Sequence, residues 1–211
     1  TNIGIDTKLF NRVNLTLEWF NNQRDRILIQ QQGSTPDSSG IASLLPPTNF
    51  GSMTNSGYEF NIAYSGGDSN YSNPNGFRYT VGLNGGYSKN EIEFIDEVSG
   101  APEWQLREGK PLGAYLLYET DGVFYDQSEI DANAVDYSQV TPQLRPGDLR
   151  LVDYDGNGKI DADDQVRQED SFTPRLQYGI TLDMSYKNFD LSILFQGSQG
   201  GLTTLFNGEF G

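Results

Sequence analysis

Leu176-Gln177-Tyr178-Gly179-Ile180-Thr181-Leu182-Asp183-Met184-Ser185-Tyr186 places an apolar residue at every second position without a break. Side chains of an extended chain point to opposite faces in turn, so the stretch reads as a β-strand with one apolar and one polar face. After a tight turn at Lys187-Asn188 the pattern resumes, with Phe189, Leu191, Ile193 and Phe195 against Asp190, Ser192 and Gln196. The same alternation runs earlier in the chain. Val13, Leu15, Leu17 and Trp19 face Asn14, Thr16 and Glu18; Tyr58, Phe60, Ile62 and Tyr64 face Glu59, Asn61 and Ala63. Phe77, Tyr79, Val81 and Leu83 alternate with Arg78, Thr80 and Gly82, and Ile3, Ile5 and Leu9 mark a weaker first strand. The fold class is all-β and antiparallel.

Period two alone fits either a soluble sandwich with its apolar face inward or a membrane barrel with that face in lipid. Length and aromatics lean toward the barrel. Eleven unbroken positions suit a tilted membrane strand of about 9–11 residues better than an ordinary strand of about 5–6. Trp19, Phe20, Tyr64, Phe77, Tyr186 and Phe189 fall near strand ends, where a barrel carries its interfacial girdles. Connections point the same way. Phe10-Asn11-Arg12 and Lys187-Asn188 are short and Ser65 to Gly76 is moderate, whereas 21–56 and 89–174 are long excursions. Short turns alternating with long loops is the layout of an outer-membrane barrel, and a compact domain rarely carries so long an excursion between strands. Strands near 2–9, 57–65 and 175–186 then run inward, and those near 13–20, 77–88 and 189–197 outward. Glu18, Asn61, Arg78, Thr80, Asp183 and Asp190 face the interior.

Composition narrows the chemistry. With 29 acidic against 14 basic residues and a formal charge of −15, the chain has no basic surface for nucleic acid. Neither Cys nor His occurs among the 211 residues. Thiolate nucleophiles, disulfides, His-dependent triads and His-ligated zinc sites are therefore excluded. No catalytic or cofactor-binding residues stand out, and the chain reads as a non-enzyme. No apolar run approaches the roughly 20 residues of a spanning helix, which leaves barrel strands untouched.

The run Asp153-Tyr154-Asp155-Gly156-Asn157-Gly158-Lys159-Ile160-Asp161-Ala162-Asp163-Asp164 reads as a twelve-position calcium loop. Asp153, Asp155 and Asn157 occupy positions 1, 3 and 5, the Lys159 carbonyl position 7, Asp161 position 9 and Asp164 the closing position. Gly158 stands where the loop turns sharply around the ion. Asp164 replaces the usual bidentate Glu, and the preceding Arg145 to Val152 looks extended, so a helix-loop-helix sensor is not expected. The loop resembles the dockerin variety, in which Ca2+ fixes a fold. Asp148 is positioned either to add a ligand or to cap the backbone. In the same excursion, Trp104, Tyr115, Tyr118, Phe124 and Tyr125 suit a small internal core better than stacking on sugar. Asp126 to Ala132 reads as an N-capped helical turn.

Several stretches together closely resemble the SusC/RagA family of TonB-linked outer-membrane transporters of Bacteroidota. They are Arg107-Glu108-Gly109-Lys110-Pro111-Leu112-Gly113 continuing to Asp121-Gly122-Val123-Phe124; Pro146-Gly147-Asp148-Leu149-Arg150 leading into 153–164; and the hairpin from Tyr178-Gly179 to Phe195-Gln196-Gly197. Asn55-Ser56-Gly57-Tyr58-Glu59 also fits the family's start of a strand. The resemblance implies a 22-stranded barrel with an N-terminal plug, energised through TonB in the bacterial outer membrane. It implies a SusD-like surface lipoprotein as partner and oligosaccharides or peptides as cargo. No plug, signal peptide or TonB-contacting segment is recognisable, and the final Phe206 to Gly211 falls where the family continues for several strands. Residues 1–211 are therefore expected to be an internal part of the barrel, with TonB contacted by the missing N-terminal region and lipid around the wall. The rival reading is a secreted calcium-binding β-sandwich such as a carbohydrate-binding module. A glycoside hydrolase fragment with two carboxylates about 5–9 Å apart is the other.

Overall fold

A computed structural model describes residues 1–203 apart from 32, 36, 42, 43, 69–72 and 74. The tail 204–211, and residues 69–72 and 74 of the turn expected between Ser65 and Gly76, lie outside the described residues. Four strands open the chain: β1 (Asn2–Leu9), β2 (Val13–Ile29), β3 (Thr48–Gly67) and β4 (Arg78–Phe94). The second excursion holds β5 (Leu116–Tyr118), β6 (Thr120–Val123), the short helix α1 (Gln127–Ala132), β7 (Leu149–Leu151) and β8 (Gln165–Arg167). Then come β9 (Leu176–Tyr186) and β10 (Phe189–Gln199). The long strands form one antiparallel six-stranded sheet in the order β1-β2-β3-β4-β9-β10.

Register decides what each face is. Leu17 pairs with Phe60, Phe60 with Gly85, Leu83 with Ile180 and Ile180 with Phe195, so the apolar sets of neighbouring strands share one face. The opposite face carries the rows Glu18, Glu59, Gly86, Gln177 and Thr16, Asn61, Asn84, Gly179. All six residues expected to face the interior lie on it.

The apolar face is uncovered. Ile3, Phe195 and Phe189 are 62%, 66% and 79% exposed, and Leu17, Trp19, Tyr58, Val81, Ile180 and Leu191 are exposed as well. The buried apolar residues Phe124, Tyr137, Ile160 and Val166 belong to the second excursion, and Ile92 to the far end of β4. The accessible surface is 14631 Å², against about 9,800 Å² for a compact globular chain of this mass. A soluble sandwich would cover its alternating face with a second sheet, and among the described residues none does. The sandwich reading fails on this point.

The apolar band has sharp margins. At one edge Trp19, Tyr58 and Tyr87 lie side by side, with the Tyr58 and Tyr87 rings 5.7 Å apart. Beyond that row the same face turns polar at once, with Asn21 beside Ser56 and Lys89, then Gln23 beside Thr54 and Glu91. At the other edge Phe77 contacts Tyr79 and Tyr186, and Tyr64 contacts Tyr79. From Phe77 to Tyr87 the chain advances about 34 Å, or about 26 Å along the normal at a tilt of roughly 40°. That matches the apolar band of about 25 Å of a membrane barrel.

Within the band, aromatic rings lie across glycines on the neighbouring strand. A Cβ at Gly85 would sit 2.9 Å from the Phe60 ring, and one at Gly197 would sit 2.5 Å from Tyr178. The rings cover strand where any side chain would displace them.

The strands run further than their alternation suggested. β2, β3 and β4 contain 17, 20 and 17 residues, so the excursions shrink to 30–47 and 95–175. Their outer thirds are polar on the face that is apolar lower down, which erases the period-two signal. A bulge interrupts β2 between Arg24 and Ile27, with Arg26 at φ 57°. The hairpin at Phe10 and Asn11 takes positive φ at both residues (51° and 55°), and Arg12 N–H closes onto the Leu9 carbonyl at 3.0 Å. This is the twist that suits a tight antiparallel turn. No helix among the described residues is long and apolar enough to cross a membrane.

Candidate functional site

Two regions can carry function: the polar face of the sheet and the loop 153–164. The polar face cradles a concavity of about 910 Å³ whose lining includes Glu18, Glu59, Asn61, Asn84, Gln177 and Gln196. A second hollow of about 370 Å³ lies over Arg78, Thr80, Asp183, Ser185, Asp190 and Ser192. Amides, hydroxyls and carboxylates share both linings with apolar groups, among them Phe60 and Leu194 in the first and Met184 and Leu191 in the second. The polar groups on this surface suit water, a polar filling segment or a polar solute.

The loop is built around glycine turns and a cluster of carboxylates, of which Asp164 is buried and Asp155 exposed. Gly156 and Gly158 take φ of 73° and 85°, where a side chain would be strained. Asp153 accepts the Asn157 N–H at 3.1 Å and the Gly158 N–H at 2.9 Å. Asp155 accepts the Asn157 N–H at 2.9 Å and its side-chain amide at 2.8 Å. Asp164 is fully buried and accepts N–H groups from Tyr154 at 2.7 Å and Asp161 at 2.8 Å. Carboxylate oxygens of Asp153, Asp155 and Asp164 all lie within 4.8 Å of one another.

Three of the six expected residues are thus brought together directly, and the others take distinct places. Asn157 sits beside Asp155, and its side-chain oxygen accepts the Lys159 N–H at 2.9 Å. Asp161 caps the turn Ala162–Asp164 by accepting the Asp163 N–H at 2.9 Å, and Lys159 Nζ approaches it at 3.6 Å. The Asp163 N–H, then Lys159, hold the Asp161 carboxyl below its usual range. Its carboxylate stands outside the close trio, as fits position 9, which often meets the ion through water. Asp148 accepts the Arg145 N–H at 2.7 Å and so caps the backbone leading into the loop.

The donor set suits a hard divalent cation. Three unit charges at such separations repel by about 3–4 kcal/mol per pair at an effective dielectric near 20. Among the described residues the buried Asp164 carboxyl has hydrogen-bond donors but no ion-pair partner, and a buried uncompensated charge is costly. The ligands are all oxygen, which selects calcium or magnesium over zinc or copper. A loop of this size with flexible carboxylates suits the larger ion.

Sequence reading missed what holds the loop in place. The Asp136 N–H donates to the Gly158 carbonyl at 3.0 Å, and the Ile160 N–H donates to the Asp136 carbonyl at 2.8 Å. Ile160 is thereby driven into a core with Phe124 and Tyr137, against which Tyr118, Ile130, Val135, Leu144 and Leu151 pack. The Tyr137 hydroxyl bridges the Leu151 backbone, donating to its carbonyl at 3.1 Å and accepting its N–H at 2.9 Å. Phe124 and Tyr118 serve the internal core, whereas Tyr125 is exposed. Asp126 caps α1 through the Glu129 N–H at 3.0 Å. The Asp126 cap and the core places of Phe124 and Tyr118 match the sequence reading, whereas the long-range partners Asp136, Tyr137 and Ile160 leave no spacing pattern.

No family model matches the chain. It is 30% identical over 212 residues to TonB-dependent receptor P3 of Formosa agariphila, covering 94% of this chain and 20% of that protein. TonB-dependent receptor P26 of the same organism is 30% identical over 209 residues, with the same coverage. Among solved structures, the RagAB peptide importer in its open-open state superposes with a TM-score of 0.63 at 18% identity, over 95% of this chain and 20% of that one. Its closed-closed state gives 0.59 at 19% identity over 95% and 21%. The chain spans about a fifth of the length of the curated relatives it matches. The SusC/RagA resemblance read from the sequence holds, and the fold is that of one section of such proteins.

Proposed function

We propose that this chain is a section of the wall of an outer-membrane, TonB-dependent importer that takes up oligosaccharides or peptides together with a SusD-like surface lipoprotein. It works by binding and passage, not by catalysis. The apolar face meets lipid, the polar face lines the interior, and the second excursion projects outside. The single observation that carries this reading is the uncovered apolar band between two aromatic margins on one continuous sheet. Its similarity to TonB-dependent receptors over 94% of the chain supports the same assignment. Peptide cargo has the support of the RagAB likeness, named as a peptide importer.

In the excursion, calcium occupies the loop 153–164. Asp153, Asp155, Asn157, Asp161, Asp164 and the Lys159 carbonyl hold it, and the ion offsets the repulsion among the clustered carboxylates, the buried Asp164 above all. Its work there is structural: it stiffens the outer surface that meets partner and cargo.

Fractionation of the native source tests the transporter reading. The polypeptide carrying these residues should be several times larger than 23.5 kDa, remain in the detergent-solubilised outer membrane and co-purify with a lipoprotein. Its deletion should abolish growth on one class of polymeric nutrient. A water-soluble 23.5 kDa species would overturn it.

A further inference from the structure

The metal loop is gripped from outside itself. Trp104 Nε1 donates to the Asp163 carbonyl at 2.8 Å, and Gln105 Nε2 donates to the Ala162 carbonyl at 2.7 Å. The turn that carries Asp164 is therefore suspended from two side chains nearly sixty residues earlier. The Trp104 ring also packs on Tyr154, with centroids 5.2 Å apart, and Tyr154 gives its own N–H to Asp164. Arg167 locks the gripping segment in turn, donating to the Gln105 carbonyl at 3.2 Å and the Ala114 carbonyl at 3.0 Å.

In a helix-flanked calcium loop the second helix orients the closing ligand. Here the closing residue stands on a turn of three residues, Ala162–Asp164. Asp161 and Asp164 cap this turn reciprocally and β8 continues from it, but the turn's own carbonyls at Ala162 and Asp163 are held from outside by Gln105 and Trp104. Asp164 is also one methylene shorter than the usual Glu, so a small displacement takes it out of reach of the ion. The grip of Trp104 and Gln105 on the turn limits that displacement.

We propose that Trp104 and Gln105 are positioning residues of the metal site, replacing the missing helix, and that metal binding in return orders the segment 102–108. The inference rests on the calcium reading above. Linkage makes the effect reciprocal: whatever the grip adds to metal affinity, the metal adds to the grip. The ordering extends to the first excursion. Arg107 Nη2 donates to the Asp96 carbonyl at 2.7 Å, and the N–H groups of Arg107 and Glu108 reach Glu97 at 2.5 and 3.0 Å. Asp96 in turn accepts the Ser34 N–H at 3.0 Å.

The test is metal titration of the intact, detergent-solubilised protein, with terbium as the luminescent stand-in for calcium. Excitation of indole should sensitise terbium through Trp104, and calcium should displace the signal. Gln105→Met keeps the size and the tryptophan but loses the donor, and should weaken calcium binding about three- to tenfold, the worth of one hydrogen bond. Gln105→Lys restores a donor and should recover most of that loss. Trp104→Phe should weaken binding similarly and remove the sensitised emission. Calcium should slow hydrogen exchange at 102–108 in the wild type and much less in Gln105→Met. Wild-type affinity in both Gln105→Met and Trp104→Phe, or exchange at 102–108 indifferent to calcium, would overturn the proposal. Failure of the unmodified protein to bind either ion would instead overturn the calcium reading itself.

Discussion

Placing a charge on either side of β4 separates a lipid-facing wall from a water-facing one. Leu83 and Asn84 are adjacent and point to opposite faces. Leu83 lies between Ile62 and Ile180 on the apolar face, and Asn84 between Asn61 and Gly179 on the polar face. Leu83 is also six residues from Phe77 and four from Tyr87. At about 3.3 Å per residue and a tilt of roughly 40°, it lies about 15 Å from one margin and about 10 Å from the other, near the bilayer midplane. Leu83→Arg should therefore cost about 2–4 kcal/mol, and Tyr87→Arg at the margin about 0–1 kcal/mol. Asn84→Arg faces the interior and should stay within about 0.5 kcal/mol. Leu83 is 39% exposed, so no packed core is lost in the exchange and the cost comes from lipid alone. The assay is reversible denaturant unfolding of the intact protein in bilayers, with gel mobility of the unheated barrel as a second readout. Equal effects of Leu83→Arg and Asn84→Arg, or a negligible effect of the first, would refute the assignment of the faces.

Three further outcomes follow from the excursion. Asp155→Ala combined with Asn157→Ala should abolish calcium binding by calorimetry and speed proteolysis between 145 and 170; unchanged metal occupancy would reject the site. Phe124→Ala empties the centre of the small core with Tyr137 and Ile160 and should cost about 3–5 kcal/mol. The loss should be local, visible as faster hydrogen exchange in the excursion while the sheet keeps its protection. At Asp96, burial pushes the carboxyl up, but hydrogen bonds from Ser34 and Gly33, aided by Arg107, outweigh it and hold the group below its ordinary value of 3.8. Its contribution is complete above that value and disappears as pH falls through the depressed one. Exchange at 33–34 should accordingly rise only in strong acid, and Asp96→Asn should raise it already at neutral pH.

The sheet was legible where both faces keep their character. From Leu176 to Tyr186 lipid and interior demand opposite chemistry at successive residues, and the strand limits there match to within a residue. In β2 from Asn21 to Arg26, water lies on both sides, no alternation is needed, and the strand reads as loop although it pairs with β3 as far as Thr48. The clustered carboxylates were legible for a related reason. One tight loop draws Asp153, Asp155 and Asp164 together from nearby positions in the chain, so they declare themselves by spacing. The residues that hold the loop, Trp104, Gln105 and Asp136, act across tens of residues through backbone carbonyls. Any donor in the right place would serve, and no composition marks the place. The strands β5 to β8 escape for a simpler reason, since three or four residues are too few to display a period.

The central claim is that the alternating face of this sheet lies in lipid and the other lines an interior. Single cysteines placed in turn from Gln177 through Asp183, in a segment that contains none of its own, would carry spin labels into the intact protein in bilayers. Accessibility to oxygen in the lipid phase and to a water-soluble relaxing agent would then be read at each position. The account predicts strict alternation, with labels at 178, 180 and 182 relaxed from the lipid and those at 177, 179, 181 and 183 not. Labels at the even positions shielded from lipid, or no alternation along the strand, would contradict it.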